Sequence, residues 1–218
     1  MFSASEGQCV PIPDSLSYPA AACAEPLAVT LHAVAQAESL LGRRVVISGA
    51  GPIGLLTVAA VRLAGAAEIV ITDLFDEPLA VAERMGATGV VNVKTAAAHL
   101  ESFRQDGGYF DAAFEASGNI HGLENCIDVT RPGGRIVQVG IFPAGNPGVP
   151  LNKLLAKELE LFGTFRFHEE FQWAVQALVD GRVNVEPILS QQFTFPDAVH
   201  AFELASDKRK AIKVSLIA

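Results

Sequence analysis

The sequence has few cysteines and few basic residues, and each shortage excludes classes of protein. Cys9, Cys23 and Cys126 are far apart and odd in number, so they predict neither a disulfide framework nor a CxxC metal motif. Free thiols of this kind indicate a reducing, cytoplasmic environment. The chain has 16 Lys and Arg against 24 Asp and Glu, a net charge of −8. This balance argues against nucleic acid and anionic membranes as partners.

Long apolar runs and aromatic residues are also scarce. No uninterrupted apolar run reaches the roughly 18 residues that a membrane-spanning helix needs. The first basic residue is Arg43, so the positively charged start of a signal peptide is missing. Aromatic residues make up 7% of the 218 residues, while small aliphatic residues dominate. That composition is typical of α/β proteins, in which helices and strands pack closely.

Short β-branched runs alternate with helical stretches after a proline-rich, irregular start. The predicted strands are Arg44–Ser48, Glu68–Thr72, Gly89–Val93, Phe110–Glu115, Arg135–Val139 and Glu160–Phe165. The predicted helices are Leu27–Leu41, Ile53–Leu63, Pro78–Met85, Ala97–Arg104, Gly122–Val129, Asn152–Leu159 and Glu169–Val179. Strands that alternate with helices imply right-handed crossovers and a doubly wound parallel sheet of the α/β class. A further helix, Pro196–Ala205, and a last strand, Ala211–Ile217, exceed that unit and indicate a second one.

A glycine-rich motif joins the first predicted strand to the next helix. Gly49, Gly51 and Gly54 have the GxGxxG spacing, which is a weak signal alone and a strong one in a strand–turn–helix context. Gly49 permits the tight turn, Gly51 lets the backbone approach a pyrophosphate, and Gly54 allows close helix packing. The phosphates would lie at the helix N-terminus. The motif therefore predicts a Rossmann fold that binds a dinucleotide.

An acidic residue follows where such folds hold the adenosine ribose. Asp73 closes the second predicted strand, and its carboxylate would accept hydrogen bonds from the ribose hydroxyls. The alternative interpretation is a surface aspartate that caps the next helix. Residues 74–78 contain no Lys or Arg that could neutralise a 2′-phosphate, so NAD is predicted rather than NADP. A methyltransferase also places an acid here, but its glycine loop has a different spacing.

The groups that usually stabilise an alkoxide during hydride transfer are hard to find. The fourth residue after Tyr18 and after Tyr109 is alanine, so the Tyr-x-x-x-Lys pair of short-chain dehydrogenases is absent. A zinc site needs three protein ligands, and the histidines are not paired at ligand spacing. We interpret each of them as a surface or helix-packing residue: His32, His99, His121, His168 and His200.

Several segments, taken in order, resemble the zinc-containing medium-chain alcohol and polyol dehydrogenases. They are Ala24–Ala33, Ser48–Leu55 together with Asp73, Phe114–Gly118, Pro132–Gly140 and Lys157–Phe167. The resemblance covers nearly the whole chain. Within the family, the Gly-Thr-Phe-Arg-Phe element is similar to that of the polyol dehydrogenases.

Members of this family begin with a catalytic, GroES-like domain whose cysteine and His-Glu pair bind the catalytic zinc. The resemblance implies a chain that starts near the end of that domain, as in a truncated enzyme. Glu25 would be a catalytic, zinc-adjacent residue with the other ligands missing, or it would only fix the start of the helix. Residues 1–26 and 184–218 would be remnants that pack on the catalytic domain. Residues 27–183 would form the NAD-binding domain, in which Ile53 and the three glycines of the motif would hold the pyrophosphate.

The resemblance also implies roles for residues at the carboxyl ends of the later strands. Val139, Gly140 and Ile141 would line the nicotinamide, and Phe165 would face the nicotinamide and the substrate. Arg166 would contact the substrate, because a sugar acid needs a cationic partner. The alternative for Arg166 is a surface salt bridge.

The implied activity is reversible oxidation of a secondary hydroxyl on a small sugar acid or polyol, with L-idonate oxidised to 5-ketogluconate as the favoured reaction. Zinc in the full-length parent would lower the pKa of the alcohol, and NAD would accept the hydride. The rival interpretations are an NAD-binding module without activity and a zinc-free medium-chain reductase.

A homo-oligomer is expected, with a dimer through the last strand of the Rossmann sheet. Apolar surface left by a missing domain also predicts self-association.

Overall fold

A computed structural model describes residue 3 and residues 5–217, and a six-stranded parallel sheet organises most of them. Its strands are β1 (Arg44–Ser48), β2 (Glu68–Asp73), β3 (Gly89–Asn92), β4 (Phe110–Glu115), β5 (Thr130–Gln138) and β6 (Glu160–Gly163). They lie in the order β3-β2-β1-β4-β5-β6, and every pairing is parallel. This is the doubly wound order of a Rossmann fold, so the predicted fold class is confirmed.

Helices cover both faces of this sheet. One face packs against α1 (Tyr18–Ala21), α2 (Ala24–Gln36), α3 (Pro52–Leu63), α4 (Asp76–Met85) and α8 (Glu170–Val179), and the other packs against α5 (Ala97–Ser102), α6 (Ile120–Val129) and α7 (Leu151–Ala156). Alternate residues of a strand point to opposite faces. Val45 and Ile47 are therefore buried in the first core, whereas Val46 is buried in the second. Because both faces are covered, successive residues in the middle of the central strands are apolar.

The helix predicted over Leu27–Leu41 has different ends in the structure. It begins at Ala24, because Pro26 falls in the first turn, where the missing N–H has no helical partner to lose. It ends at Gln36, and Glu38 then adopts a left-handed φ of 61°. The prediction that Gly42 ends the helix is therefore wrong.

Strands β5 and β6 also differ from their predicted bounds. β5 starts at Thr130 rather than Arg135, because the Pro-Gly-Gly run that resembles a turn continues the strand past an irregular pairing. β6 ends at Gly163, so Phe165 lies in the loop after it, and Val139 likewise follows β5. The other predicted elements have the expected type and differ only at their ends. Both corrections place candidate residues in loops at the carboxyl edge of the sheet, where ligands bind in such folds.

The last part of the chain forms a small separate sheet. Strands β7 (Leu189–Thr194) and β8 (Lys213–Ile217) pair in parallel, and α9 (Ala198–Ser206) connects them. β7 was not predicted, because Phe193 is its one buried side chain and no alternation marks it. That residues 184–218, like residues 1–26, belong to a second domain stays a prediction. Within the described residues, no helix is long and apolar enough to cross a membrane.

Candidate functional site

The glycine motif forms the turn between β1 and α3, where the strand order of the sheet reverses. Gly49 has a φ of 101°, and a Cβ there would lie 2.8 Å from Ser117 Cα, so both conformation and space require glycine. Gly51 is the N-cap of α3, and nothing lies within 4 Å of the place where its Cβ would be. The backbone at Gly51 is therefore open to a ligand.

The next glycine of the motif, Gly54, packs against the loop itself rather than against the strand. A Cβ on Gly54 would overlap the carbonyl oxygen of Gly49. This close contact holds the first turn of α3, with its unpaired N–H groups, at the carboxyl edge of the sheet. Ile53 is half-buried in the same turn. The arrangement is the one that binds phosphate at a helix N-terminus.

Asp73 ends β2 directly beside this loop. Its Oδ2 accepts a hydrogen bond from the Ala50 N–H at 2.7 Å. Its Oδ1 accepts from the N–H groups of Leu74 at 2.6 Å and Phe75 at 3.1 Å. Phe75 is the N-cap of α4, whose cap has no side-chain hydrogen bond, so Asp73 holds the loop and does not cap the helix. The structure thus brings a carboxylate and the glycine loop together at one edge.

A cationic side chain from a more distant part of the sequence also lies near this edge. Lys94 follows β3, and its Nζ lies 4.7 Å from the centroid of the Phe75 ring. Sheet pairing of Asp73 with Asn92 brings the two segments together. A search for basic residues within 74–78 misses Lys94, because its position depends on the pairing of β2 with β3.

The loops after β4 and β5 pack against each other by their backbones. A Cβ on Gly118 would lie 2.5 Å from the Ile141 carbonyl oxygen, and a Cβ on Gly140 would overlap the Gly118 nitrogen. Val139 is half-buried against the core, whereas Ile141 is 81% exposed. The three residues predicted to line the nicotinamide therefore form one strip with an apolar, accessible end.

Glu115, the last residue of β4, is the functional candidate that the sequence analysis missed. It is fully buried, and its carboxylate accepts hydrogen bonds from Ser117, Gly118 and Gln138. The one available signal is an acidic residue that ends a strand directly after the apolar run Ala112–Phe114. A sequence does not show that four donors converge on it.

Phe165 and Arg166 follow β6 and form a pair. The Arg166 guanidinium carbon lies 5.3 Å from the centroid of the Phe165 ring, and the ring is 71% exposed. Arg166 has a φ of 61°, and left-handed non-glycine residues are uncommon and concentrate at functional sites. Arg166 has no carboxylate partner among the described residues, so the alternative of a surface salt bridge is not observed.

Glu25 is exposed in the first turn of α2, where a helix dipole favours a carboxylate. Cys23, two residues earlier, is buried, and this burial raises the pKa of its thiol, which disfavours the thiolate that zinc binds. In the described part of the chain, no group of three or more His, Cys, Asp or Glu could hold a metal ion. These residues do not by themselves fit a zinc site.

Two of the histidines meet in the structure. His32 on α2 shares a 2.9 Å hydrogen bond with Glu170 on α8, and the His168 N–H donates to the same carboxylate at 2.7 Å. Hydrogen bonds from His32 and His168 outweigh the burial of Glu170 and hold the pKa of this carboxyl below its ordinary value. The expectation that His32 is a helix-packing residue agrees with this contact.

A family profile described as "Zinc-binding dehydrogenase" matches residues 52–180. The chain belongs to the zinc-binding dehydrogenase family. The matched segment begins in the glycine motif and contains Asp73, Glu115, the strip of Val139, Gly140 and Ile141, and Arg166.

The relatives that match this chain are longer than the chain itself. L-idonate 5-dehydrogenase (NAD(P)(+)) of Escherichia coli (strain K12) is 43% identical over 210 residues, which are 96% of this chain and 60% of that protein. Sorbitol dehydrogenase 1 of Saccharomyces cerevisiae is 33% identical over 210 residues, 93% of this chain and 58% of that protein. The crystal structure of L-idonate 5-dehydrogenase from E. coli matches with a TM-score of 0.93 and 42% identity, covering 97% of this chain and 60% of that one. The chain spans about 60% of the length of these relatives.

Proposed function

We propose that this chain binds NAD across the carboxyl edge of its six-stranded sheet and supplies the coenzyme-binding part of a dehydrogenase. One observation carries the proposal. An open backbone at Gly51, on the N-terminus of α3, stands beside the carboxylate of Asp73, which bonds to the same loop at Ala50. Donors for a pyrophosphate and an acceptor for ribose hydroxyls are thus adjacent, as a dinucleotide requires.

The proposed roles follow the order of the strands. The pyrophosphate would lie on Gly49, Gly51, Ile53 and Gly54, and Asp73 would accept from the adenosine ribose. Val139, Gly140 and Ile141 would line the nicotinamide, and the exposed Phe165 ring would exclude water from it. Bound NAD would supply the hydride acceptor. These residues bind and orient the coenzyme.

The preference for NAD is a proposal as well, since the name of the E. coli relative includes both coenzymes. The carboxylate of Asp73 repels a 2′-phosphate. Lys94 offers a cation nearby, but its Nζ is already placed over the Phe75 ring. We therefore propose that NAD binds more tightly than NADP.

The proposed substrate of the whole protein is a sugar acid or polyol with a secondary hydroxyl, and L-idonate is the favoured one. The names of the relatives support this class. Arg166 supports the acid, because its guanidinium has no carboxylate partner within the described residues and can bind a carboxylate through two hydrogen bonds. Glu25 keeps its proposed catalytic, zinc-adjacent role. A homo-oligomer joined through the edge strand β6 and a cytoplasmic location complete the proposal.

A second candidate is an NAD-binding module without activity of its own. The observation that favours it is that the described residues do not form a three-ligand metal site. Both candidates require NAD binding and predict no turnover by this chain alone, and they differ in whether the whole protein oxidises a substrate.

The experiment supplies the purified chain with NAD, zinc and L-idonate, and follows NADH formation by absorbance and NAD binding by calorimetry. We expect NAD binding without turnover. Turnover would contradict the metal-site argument and direct attention to Cys9, Cys23, Glu25 and His32. Failure to bind NAD would overturn the proposal. Quenching of NADH fluorescence by L-idonate, with sorbitol as the neutral comparison, tests the substrate class in the absence of turnover.

A further inference from the structure

Glu115 is a buried carboxylate for which the dinucleotide site has no direct use. An acidic side chain without solvent contact is costly unless hydrogen bonds satisfy it. Its Oε1 accepts from the Ser117 N–H at 2.8 Å and from the Ser117 hydroxyl. Its Oε2 accepts from the Gly118 N–H at 3.1 Å and from the Gln138 side-chain amide at 2.6 Å. Each oxygen has two donors within the protein, so the carboxylate acts on the protein and not on a ligand.

The backbone of Glu115 holds the same neighbouring segment as its side chain. Its carbonyl oxygen accepts from the N–H groups of Val139 at 2.8 Å and Gly140 at 2.7 Å. The Gln138 amide that donates to the carboxylate also donates to the Gly140 carbonyl at 2.7 Å. The Gln138 Oε1 is buried without a partner among the described residues, so the two N–H contacts alone orient this side chain.

The surroundings leave little room for these groups to move. A Cβ on Gly140 would lie 2.6 Å from the Glu115 Oε2, and one on Gly122 would lie 2.7 Å from its Oε1. Ser117 in turn packs against Gly49 of the glycine loop. The carboxylate therefore sits where the loops after β1, β4 and β5 meet.

We propose that Glu115 is a positioning residue that sets the strip Val139–Ile141 for the nicotinamide half of the dinucleotide. The proposal rests on the proposed function, which assigns that strip to the nicotinamide. In Glu115→Gln, an amide N–H replaces one acceptor and opposes an N–H of Ser117, Gly118 or Gln138. If Gln138 flips to relieve this, its Oε1 then faces the Gly140 carbonyl. The strip moves, while Gly51 and Asp73, which do not contact Glu115, keep their places.

The test measures the Kd of the full chain for NAD and for ADP-ribose, which is the same molecule without the nicotinamide. Glu115→Gln is expected to raise the Kd for NAD by about tenfold, the effect of one strong hydrogen bond. The Kd for ADP-ribose should stay within about twofold of the wild-type value. The matched control is Asp111→Asn, at the opposite end of β4. Asp111 is also a hydrogen-bonded carboxylate, which accepts from Arg44 and Arg131, and its loss should not change the ratio of the two constants.

Each other outcome overturns the proposal. Equal weakening of both ligands in Glu115→Gln would mean a general structural role, and unchanged binding would mean no role. If wild type binds NAD no more tightly than ADP-ribose, the assignment of the strip to the nicotinamide is wrong. If wild type binds neither ligand, the proposed function itself fails. Should Glu115→Gln not fold, Gln138→Met removes the same contact and must show the selective loss of NAD affinity.

Discussion

Gly51 and Gly54 are three residues apart in one motif, yet their missing side chains matter for different reasons. A Cβ on Gly54 would occupy the place of the Gly49 carbonyl oxygen, whereas a Cβ on Gly51 would meet nothing. Gly54→Ala should therefore destabilise the fold by about 1–3 kcal/mol through overpacking. Gly51→Ala should leave stability within about 0.5 kcal/mol but weaken NAD binding, because its methyl group lies where the pyrophosphate approaches.

Urea unfolding and calorimetric NAD titration of the two variants separate these effects. Gly148→Ala, another glycine with open space around its Cβ, is the control for the substitution itself. Wild-type affinity in Gly51→Ala, or wild-type stability in Gly54→Ala, would contradict the assignments.

Residues with local partners were predictable, and residues with partners on distant strands were not. The glycine loop and Asp73 are close because β1, α3 and β2 form one crossover unit, in which β2 pairs in parallel with β1. Glu115 depends on donors from the loop after β4 and from β5, and Lys94 depends on sheet pairing. The zinc-adjacent role expected of Glu25, with the other ligands missing from the chain, stays a prediction.

Among the elements, the strands of the large sheet are joined at their amino end by Asp111. Its carboxylate accepts from the Arg44 N–H at 2.9 Å and from the Arg131 side chain at 2.8 Å, so it links β4 to β1 and β5. Burial favours the neutral form of Asp111, but hydrogen bonds from Arg131 and Arg44 outweigh it and hold the pKa below its ordinary value. A lowered folded pKa stabilises the protein above the unfolded pKa, and this stabilisation is lost as the pH falls through the folded pKa.

Asp111→Asn should therefore lower the free energy of unfolding by about 1–3 kcal/mol at neutral pH. This difference from wild type should shrink as the pH falls below about 4. Urea unfolding of wild type and variant over a pH series measures it. Asp14→Asn, at an exposed position, is the control. A difference between wild type and Asp111→Asn that does not change with pH would contradict the linkage.

The elements that the sequence predicted best are those with buried faces. β1 and β4 match their predicted bounds, because the burial of both faces leaves an apolar run in the middle of each strand, Val45–Ile47 and Ala112–Phe114. β7 has mostly exposed side chains and carries no such pattern. The predicted end of α2 at Leu41 was wrong. Leu40 is buried by tertiary contacts after the helix has ended, and a buried apolar residue there looks like a continuation of the helical pattern.

In the molecule as a whole, large apolar side chains remain exposed in the segment that connects β7 to β8. Phe195 is 62% exposed, Val199 75% and Phe202 72%. Val199 and Phe202 are three residues apart on α9 and therefore share one face, and exposed apolar surface of this kind drives association in water. We expect the purified chain to self-associate with rising concentration, and the variant Val199→Ser/Phe202→Ser to do so less.

Light scattering over a concentration series measures this association. Leu41→Ser, which removes one exposed leucine shortly before β1, is the control. A clean, stable monomer at every concentration would contradict the prediction.

We propose that the glycine loop and Asp73 form the adenosine side of an NAD site, and a comparison of NAD and NADP binding tests this claim. Calorimetric titration of wild type should show tighter binding of NAD than of NADP. Asp73→Asn should weaken NAD binding by about tenfold, which corresponds to about 1.4 kcal/mol. It should also reduce the ratio of the NADP Kd to the NAD Kd. Wild type that binds neither coenzyme, or that prefers NADP regardless of the residue at position 73, would contradict the claim.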